Sequence, residues 1–371
     1  MPPVQLIYIL AANGLLSVIC IPFYIRAARS NDIVDVPNER SSHNSPTPRG
    51  GGIFIAVGAL LTVLVVTAFA APPTVDWALL AGGALVTVTG FVDDLKTLSP
   101  RLRLGSHILA AGLLIAGVIF AAPERTDVLS SPLLFVSLAA LTIWIVGCLN
   151  IYNFMDGIDG IATGQGIAAA ITWLAISLFP AGEADNLGTL KTAALAAALL
   201  GGLLAFLCFN WSPAKVFMGD GASGFLGFSF AALPILVAVP TPADIWLKLN
   251  LGALTLFPFI FDGTFTLFRR ARCILIENSS SQSASKASAL GVKLVRLSEL
   301  TEAHRSHLYQ RWIQSEASHQ KVASAYTAWA VLCGLAAGLV HLGHLNLFAA
   351  YAIALAPAGA LLRFSRRFPK A

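Results

Sequence analysis

Charge is what this 371-residue sequence has least of, with aspartate, glutamate, lysine and arginine together making up 12%, about half of the roughly 25% carried by an ordinary soluble domain. So little charge cannot cover a soluble globular enzyme. With 56% hydrophobic residues and a mean hydropathy of +0.75, the chain reads as all-α and polytopic, an integral membrane protein. Cysteine is also scarce: Cys20, Cys148, Cys208, Cys273 and Cys333 stand singly, four of them inside apolar runs, which excludes a disulfide framework or a cysteine-based zinc site. No repeat of about 20 to 50 residues is present. The first apolar run lacks a positive n-region and a small-residue cleavage site, so it is expected to be a mature helix rather than a signal peptide. The net charge of +5 reports membrane orientation rather than a nucleic-acid partner.

At roughly 20 apolar residues per crossing, eleven spans are expected, near residues 4–25, 53–71, 77–92, 104–122, 131–150, 161–180, 189–209, 221–240, 247–268, 324–341 and 345–362. An odd number puts the termini on opposite sides. Of 24 lysines and arginines, 21 fall on one side, and Arg125, Lys191 and Lys248 on the other. The positive-inside bias then predicts an outside N-terminus and a cytoplasmic C-terminus. Loops on the outer side are short and plain. The cytoplasmic side carries nearly everything polar, including a large loop at 269–323 whose Ser-rich stretch, 279–288, reads as disordered.

Five aspartates gather at cytoplasmic helix ends: Asp93 and Asp94, Asp156 and Asp159, and Asp220. Each alone could be a helix cap or a solvated loop charge. Five on one face, flanked by apolar sequence, point to a shared cation or phosphate site. Asp156 and Asp159 are three apart, so one helical turn would put both on one face. Gly157 and Gly160 beside them leave room for backbone or polyphosphate to approach. Asp220 lies in VFMGDGASG, at a glycine-rich helix start that suits an anion. Magnesium takes few carboxylates and bridges substrate phosphates, which fits this set better than a calcium cage would. Lys96, Arg101, Arg103, Lys215 and Arg49 flank these acids. They read as positive-inside residues contacting membrane lipids or, taken with the acids, as a diphosphate clamp.

The segments DVPNERSSHNSPTPRGGG, FVDDLKTLSPRLRL, NFMDGIDGIATG, FNWSPAKVFMGDGASGFLG and HRSHLYQR resemble, in order and spacing, those of the polyprenyl-phosphate N-acetylhexosamine-1-phosphate transferases. The resemblance covers roughly residues 35 to 365 and implies a single transmembrane catalytic domain over 1–371. It implies transfer of sugar 1-phosphate from a UDP-N-acetyl sugar to undecaprenyl phosphate, with release of UMP and a requirement for Mg2+, for which Mn2+ could substitute. The active site would face the cytoplasm of a bacterial inner membrane, and a homodimer is compatible with it. By resemblance Asp220 is the metal ligand, and Asp93 and Asp94 are the catalytic aspartate pair, with Asp93 acting toward the lipid phosphate. His304 and His307 are catalytic near sugar and diphosphate. Asn153, Asp156, Asp159 and Phe217 bind the nucleotide, and Lys96, Arg101, Arg103, Asn210 and Arg305 complete the substrate-binding set. HRSH, in place of a run of adjacent histidines, is similar to initiators of O-antigen and lipopolysaccharide synthesis rather than to the peptidoglycan translocase, which is kept as the alternative.

From the residues alone, His304 and His307 are equally two solvated loop histidines or a weak metal pair. Asp262 lies seven residues before Arg269, roughly 10 Å into the bilayer at 1.5 Å per residue. An ionisable group there is functional by default, and it is expected to support a lipid-phosphate groove. An ion-coupled transporter would hold its acids near mid-membrane at a repeat interface, which this pattern does not resemble. A CDP-alcohol phosphotransferase would carry a DG…AR…G…D…D pattern, which is absent.

Overall fold

In the computed structural model, residues 3–37, 45–69, 74–121, 134–179, 186–238, 245–280 and 306–365 are described. His304, Arg305 and the Ser-rich stretch beyond Ser280 lie outside them. The helices are α1 (Pro3–Ser30), α2 (Ile53–Phe69), α3 (Thr74–Lys96), α4 (Pro100–Ala121), α5 (Leu134–Met155), α6 (Ile161–Leu178), α7 (Asn186–Asn210), α8 (Asp220–Ala238), α9 (Ile245–Thr255), α10 (Phe257–Ser280), α11 (Leu308–Gln314), α12 (His319–His341) and α13 (Leu347–Ser365). Among the described residues nine helices are long and apolar enough to cross a membrane, α9 and α10 form an apolar pair sharply bent at a break, and α2 is a shorter apolar helix of 17 residues. Each of the eleven runs read from the sequence falls on helix, of which nine or, with the bent pair, ten meet the length of a crossing, and the chain is an all-α polytopic membrane protein. Among the described residues the sole sheet is a two-stranded ribbon, β1 (Val34–Asp35) antiparallel to β2 (Thr47–Pro48), with Val34 opposite Pro48.

The bundle is built around α8, whose sequence after Asp220 carries no charge and is apolar all round, the composition of a helix enclosed by protein. It is buried along its whole length, packed by α2, α3, α5, α7 and α9. Outside this centre, α1 packs on α7, α3 on α4, α6 on α7 and α12, and α12 on α13. Large apolar side chains such as Tyr8, Phe23, Phe69, Phe120 and Phe348 point outward, as a surface facing acyl chains allows.

Three departures from the sequence reading bear on function. First, α3 runs on to Lys96, so Asp93 and Asp94 sit inside its last turn rather than beyond it. Second, the expected single span at 247–268 is broken at Leu256, with an 80° change of direction between α9 and α10. The break precedes both Asp262 and Arg269, which share α10, so it redirects the chain before Asp262 and leaves the rise between these two residues unchanged. Third, the segment expected to open a loop at 269 continues as helix through Ser280.

Candidate active site

One end of the bundle carries a ring in which two arginines bridge three carboxylates. Asp93 and Asp94 are adjacent in sequence, and successive helical residues lie about 100° apart, so the two carboxylates leave α3 in different directions. Asp93 Oδ2 pairs with Arg103 Nη1 of α4 at 2.9 Å, and Asp93 Oδ1 accepts the Leu98 N–H at 2.5 Å. Asp94 turns to α8, where its oxygens accept the N–H groups of Asp220 at 3.0 Å and Gly221 at 3.3 Å. It thereby caps the first turn of that helix and offsets its positive end. Arg49 joins the two: its Nε lies 2.6 Å from Asp94 Oδ1 and its Nη2 2.9 Å from Asp220 Oδ1. Arg103 Nη1 approaches Asp220 Oδ2 at 3.8 Å and closes the ring.

The three carboxylates differ in access. The side chain of Asp94 is 1% exposed, Asp93 6% and Asp220 23%, so Asp220 is the one open to solvent. Their close approach depends on two glycines. Gly90 lets α3 touch the start of α8, since a Cβ there would lie 2.5 Å from the Asp220 carbonyl. Gly219 takes a left-handed φ of 85° directly before the helix, a conformation glycine adopts without steric cost.

Arg49 is presented by a clamped backbone. Beside it, β2 pairs with β1, Tyr24 donates its hydroxyl to the Arg49 carbonyl at 2.5 Å, and the N–H groups of Gly51 and Gly52 donate to the carbonyls of Phe217 and Met218, both at 3.0 Å. The same pairing holds Phe217, whose own N–H donates to Pro48 O at 2.8 Å. Burial lowers the pKa of Arg49, but Asp220 and Asp94 outweigh it and hold the guanidinium above its ordinary value.

Asn153 reaches the start of α8, donating to Ser223 Oγ at 2.9 Å. Asp156 follows the end of α5, and burial together with Asp220 and the neighbouring acids pushes its pKa up to about 8. Asp159 behaves oppositely. Burial would raise it, but His319 Nδ1 at 3.3 Å and the Ala214 N–H at 3.2 Å hold it below the usual carboxylate range. The two acids of DGID thus work in different settings, a distinction their spacing does not show.

Other expected site residues are placed elsewhere. Asn210 is buried, and its amide ties three segments together by accepting from Gly160 N at 3.1 Å and Thr163 Oγ1 at 2.8 Å and donating to Val216 O at 3.1 Å. Lys96 and Arg101 are exposed, and neither forms an ion pair among the described residues. Asp262 does not line a groove. It is 0% exposed, and its carboxylate accepts the Leu308 N–H at 2.8 Å, the Tyr309 N–H at 3.1 Å, the Tyr326 hydroxyl at 2.6 Å and the Thr266 hydroxyl at 3.1 Å. It is the N-terminal cap, supplied from α10, of the short helix α11. His307 is buried at the mouth of that helix with Nδ1 3.3 Å from Asp262 Oδ1. His319 and Ser223 were not singled out from the sequence; SHQK and GASG carry no signal beyond that of ordinary helix starts.

A membrane bundle whose polar end joins several carboxylates, two arginines and a helix N-terminus is the build of a membrane-surface enzyme acting on phosphorylated substrates. Residues 77–238 match the family described as Glycosyl transferase family 4. A Bacillus subtilis protein named "Probable undecaprenyl-phosphate N-acetylglucosaminyl 1-phosphate transferase" is 30% identical over 262 residues, 69% of this chain and 70% of that protein. A Mycobacterium leprae decaprenyl-phosphate N-acetylglucosaminephosphotransferase is 32% identical over 246 residues, 62% of this chain and 60% of the relative. A Lactobacillus helveticus phospho-N-acetylmuramoyl-pentapeptide-transferase is 32% identical over 250 residues, 62% and 75% of the two chains. The chain belongs to the polyprenyl-phosphate N-acetylhexosamine-1-phosphate transferase family.

Proposed function

We propose that the chain transfers an N-acetylhexosamine 1-phosphate from a UDP-sugar to undecaprenyl phosphate, releasing UMP and initiating a lipid-linked surface glycan of the O-antigen type. The observation that carries this reading is the ring of Asp93, Asp94, Asp220, Arg49 and Arg103 at one end of the bundle. An oxygen of the lipid phosphate attacks the sugar-bearing phosphorus, forming the new P–O–P link. The bond to the bridging oxygen breaks and UMP leaves with that oxygen. A phosphate monoester has its second pKa near 6, so the nucleophile is mostly dianionic at neutral pH and gains little from a base. Asp93, tied to Arg103 and the Leu98 amide, is then a positioning residue that aims Arg103 at the lipid phosphate.

The residues fit Mg2+. Asp220 is the most accessible carboxylate of the ring, and Asp94 stands beside it across Arg49. That matches an ion held by one or two carboxylates with waters and substrate phosphates. Asp220 would hold it, and bound there it would neutralise charge developing on the departing UMP. Burial raises the pKa of Asp156 first, and the negative charge of Asp220, Asp94 and Asp159 adds to it; only that second part is what such an ion would relieve. Asn153, Asp156, Asp159 and Phe217 would take the nucleotide, on the cytoplasmic face of a bacterial inner membrane.

The Lactobacillus helveticus relative favours a second reading, transfer of a muramoyl-pentapeptide phosphate. Membranes holding the protein, supplied with undecaprenyl phosphate, Mg2+ and a panel of UDP-sugars, decide between them by the mass of the lipid product. Asp220→Ala should abolish transfer while the protein still inserts. Near-normal turnover in that variant at ordinary Mg2+ refutes the assignment.

A further inference from the structure

Two guanidiniums lie near the oxygens of Asp220, at 2.9 Å and 3.8 Å, so a divalent cation arriving there competes with them for the carboxylate. They are not equivalent. Arg103 is anchored on buried Asp93 at 2.9 Å and stands 3.8 Å from Asp220 Oδ2. Arg49 makes the close contact, with Nη2 2.9 Å from Asp220 Oδ1, while its Nε holds Asp94 at 2.6 Å. Its main chain cannot follow a movement of the side chain, because β2, the Tyr24 hydroxyl and the Gly51 and Gly52 amides fix the segment on both sides. The side chain itself is 35% exposed. Rotation about the Nε contact would release Nη2 from Asp220 without leaving Asp94, whose own partners in α8 keep it in place.

We propose that Arg49 is an exchangeable counter-ion: it neutralises Asp94 and Asp220 until a divalent cation arrives, surrenders Asp220 to it, and turns its freed Nη2 to a substrate phosphate while Nε stays on Asp94. The exchange follows from charge. Three carboxylates against two guanidiniums leave the ring one charge negative. Replacing one arm of a monovalent cation by a divalent ion makes the pocket attractive to the diphosphate at the moment the metal is loaded. Metal and phosphate binding then reinforce each other through Arg49, because each removes the cost of the other's arrival.

The inference rests on Asp220 as the metal ligand, and Mn2+ binding to the detergent-purified full-length protein separates the two ideas. The measurement is loss of the free-ion EPR signal, without substrates and then with UMP. Wild-type binding should disappear in Asp220→Asn; if it survives unchanged, the ligand assignment itself fails. With an Asp220-dependent site, Arg49→Gln should bind Mn2+ about fivefold more tightly than wild type, equivalent to about 1 kcal/mol, and the tightening produced by UMP should shrink. Arg49→Lys, which keeps the charge but not the two-pronged reach, should fall between the two. Should Arg49→Gln not fold, Arg49→Lys carries the comparison with the same sign. Equal or weaker Mn2+ binding in the folded Arg49 variants, or undiminished coupling to UMP, overturns the exchange and leaves the assignment of Asp220 standing.

Discussion

Replacing Asp262 by alanine removes the acceptor for two backbone amides and two hydroxyls at once. The hydroxyls of Thr266 and Tyr326 can rotate toward other acceptors. The amides of Leu308 and Tyr309 cannot, because they are the first donors of α11 and have no partner within that helix. An orphaned buried donor costs about 1–3 kcal/mol, so the two amides together lose about 3 kcal/mol. Helix α11 has seven residues and no reserve of its own, since isolated helices shorter than about 12 residues are marginal. The loss should therefore appear as local opening rather than global unfolding. At about 1.4 kcal/mol per tenfold, amides of 308–314 should exchange with deuterium about 100-fold faster in Asp262→Ala, with α6 and α8 unchanged. Asp262→Asn, which keeps one acceptor oxygen, should lie between. Transfer should fall with the opening, because the histidine segment leads directly into α11. Peptide-level exchange in detergent reads this out, and unchanged protection of 308–314 in Asp262→Ala would refute the role as a cap.

At the opposite end of the bundle, Lys191 Nζ lies 2.5 Å from Asp76 Oδ2 with both groups largely buried. Lys191→Met alone should cost about 3–5 kcal/mol by stranding the carboxylate, and adding Asp76→Leu should recover most of it; equal melting temperatures for the single and double variants would refute the pairing. Asp156 is raised from its ordinary 3.8 to about 8, so across that interval the folded chain holds a proton that the unfolded chain has released, and stability falls as pH rises. Asp156→Asn should gain in melting temperature over wild type as pH goes from about 5 to about 8 and then level off; the same gain at both ends contradicts the shift. Single cysteines introduced at Ser281 and Asp185, in a chain stripped of its native cysteines, should respectively resist and react with an impermeant thiol reagent in intact cells. The reverse pattern would turn the active face away from UDP-sugars.

The spans were legible because each is an apolar run of near-bilayer length. The break at Leu256 was not, although Pro258 stands in the first turn of α10, where proline is tolerated. Pro22 and Pro234 lie inside α1 and α8 without ending either, so proline alone does not locate a break in an apolar run. The carboxylates at the helix ends were visible for the same reason as the spans: charge is rare enough here for five aspartates to stand out. Their partners were not, because adjacent residues on a helix face different neighbours, and Asp93 and Asp94 acquire separate roles once α4 and α8 pack on different sides of α3. Asp262 reads from the sequence as support for a lipid-phosphate groove, and the structure instead buries it as the cap of α11. Its occupation depends on α11 arriving from 46 residues downstream, a contact no local pattern encodes.

The ring closes over a long stretch of chain, since Arg49 and Asp220 are separated by 171 residues. At a synthesis rate of about 5–20 residues per second, roughly 10 to 30 seconds pass between the emergence of the arginine and of its second partner. During that interval Asp93, Asp94 and Arg103 are also made, and the nascent set has equal numbers of positive and negative groups until Asp220 adds the last charge. Placement at helix ends lets these groups wait in water rather than in lipid, where each would oppose insertion. A ribosome that stalls before α8 thus leaves the four earlier members of the ring in balance, and the ring turns net negative only when Asp220 is made.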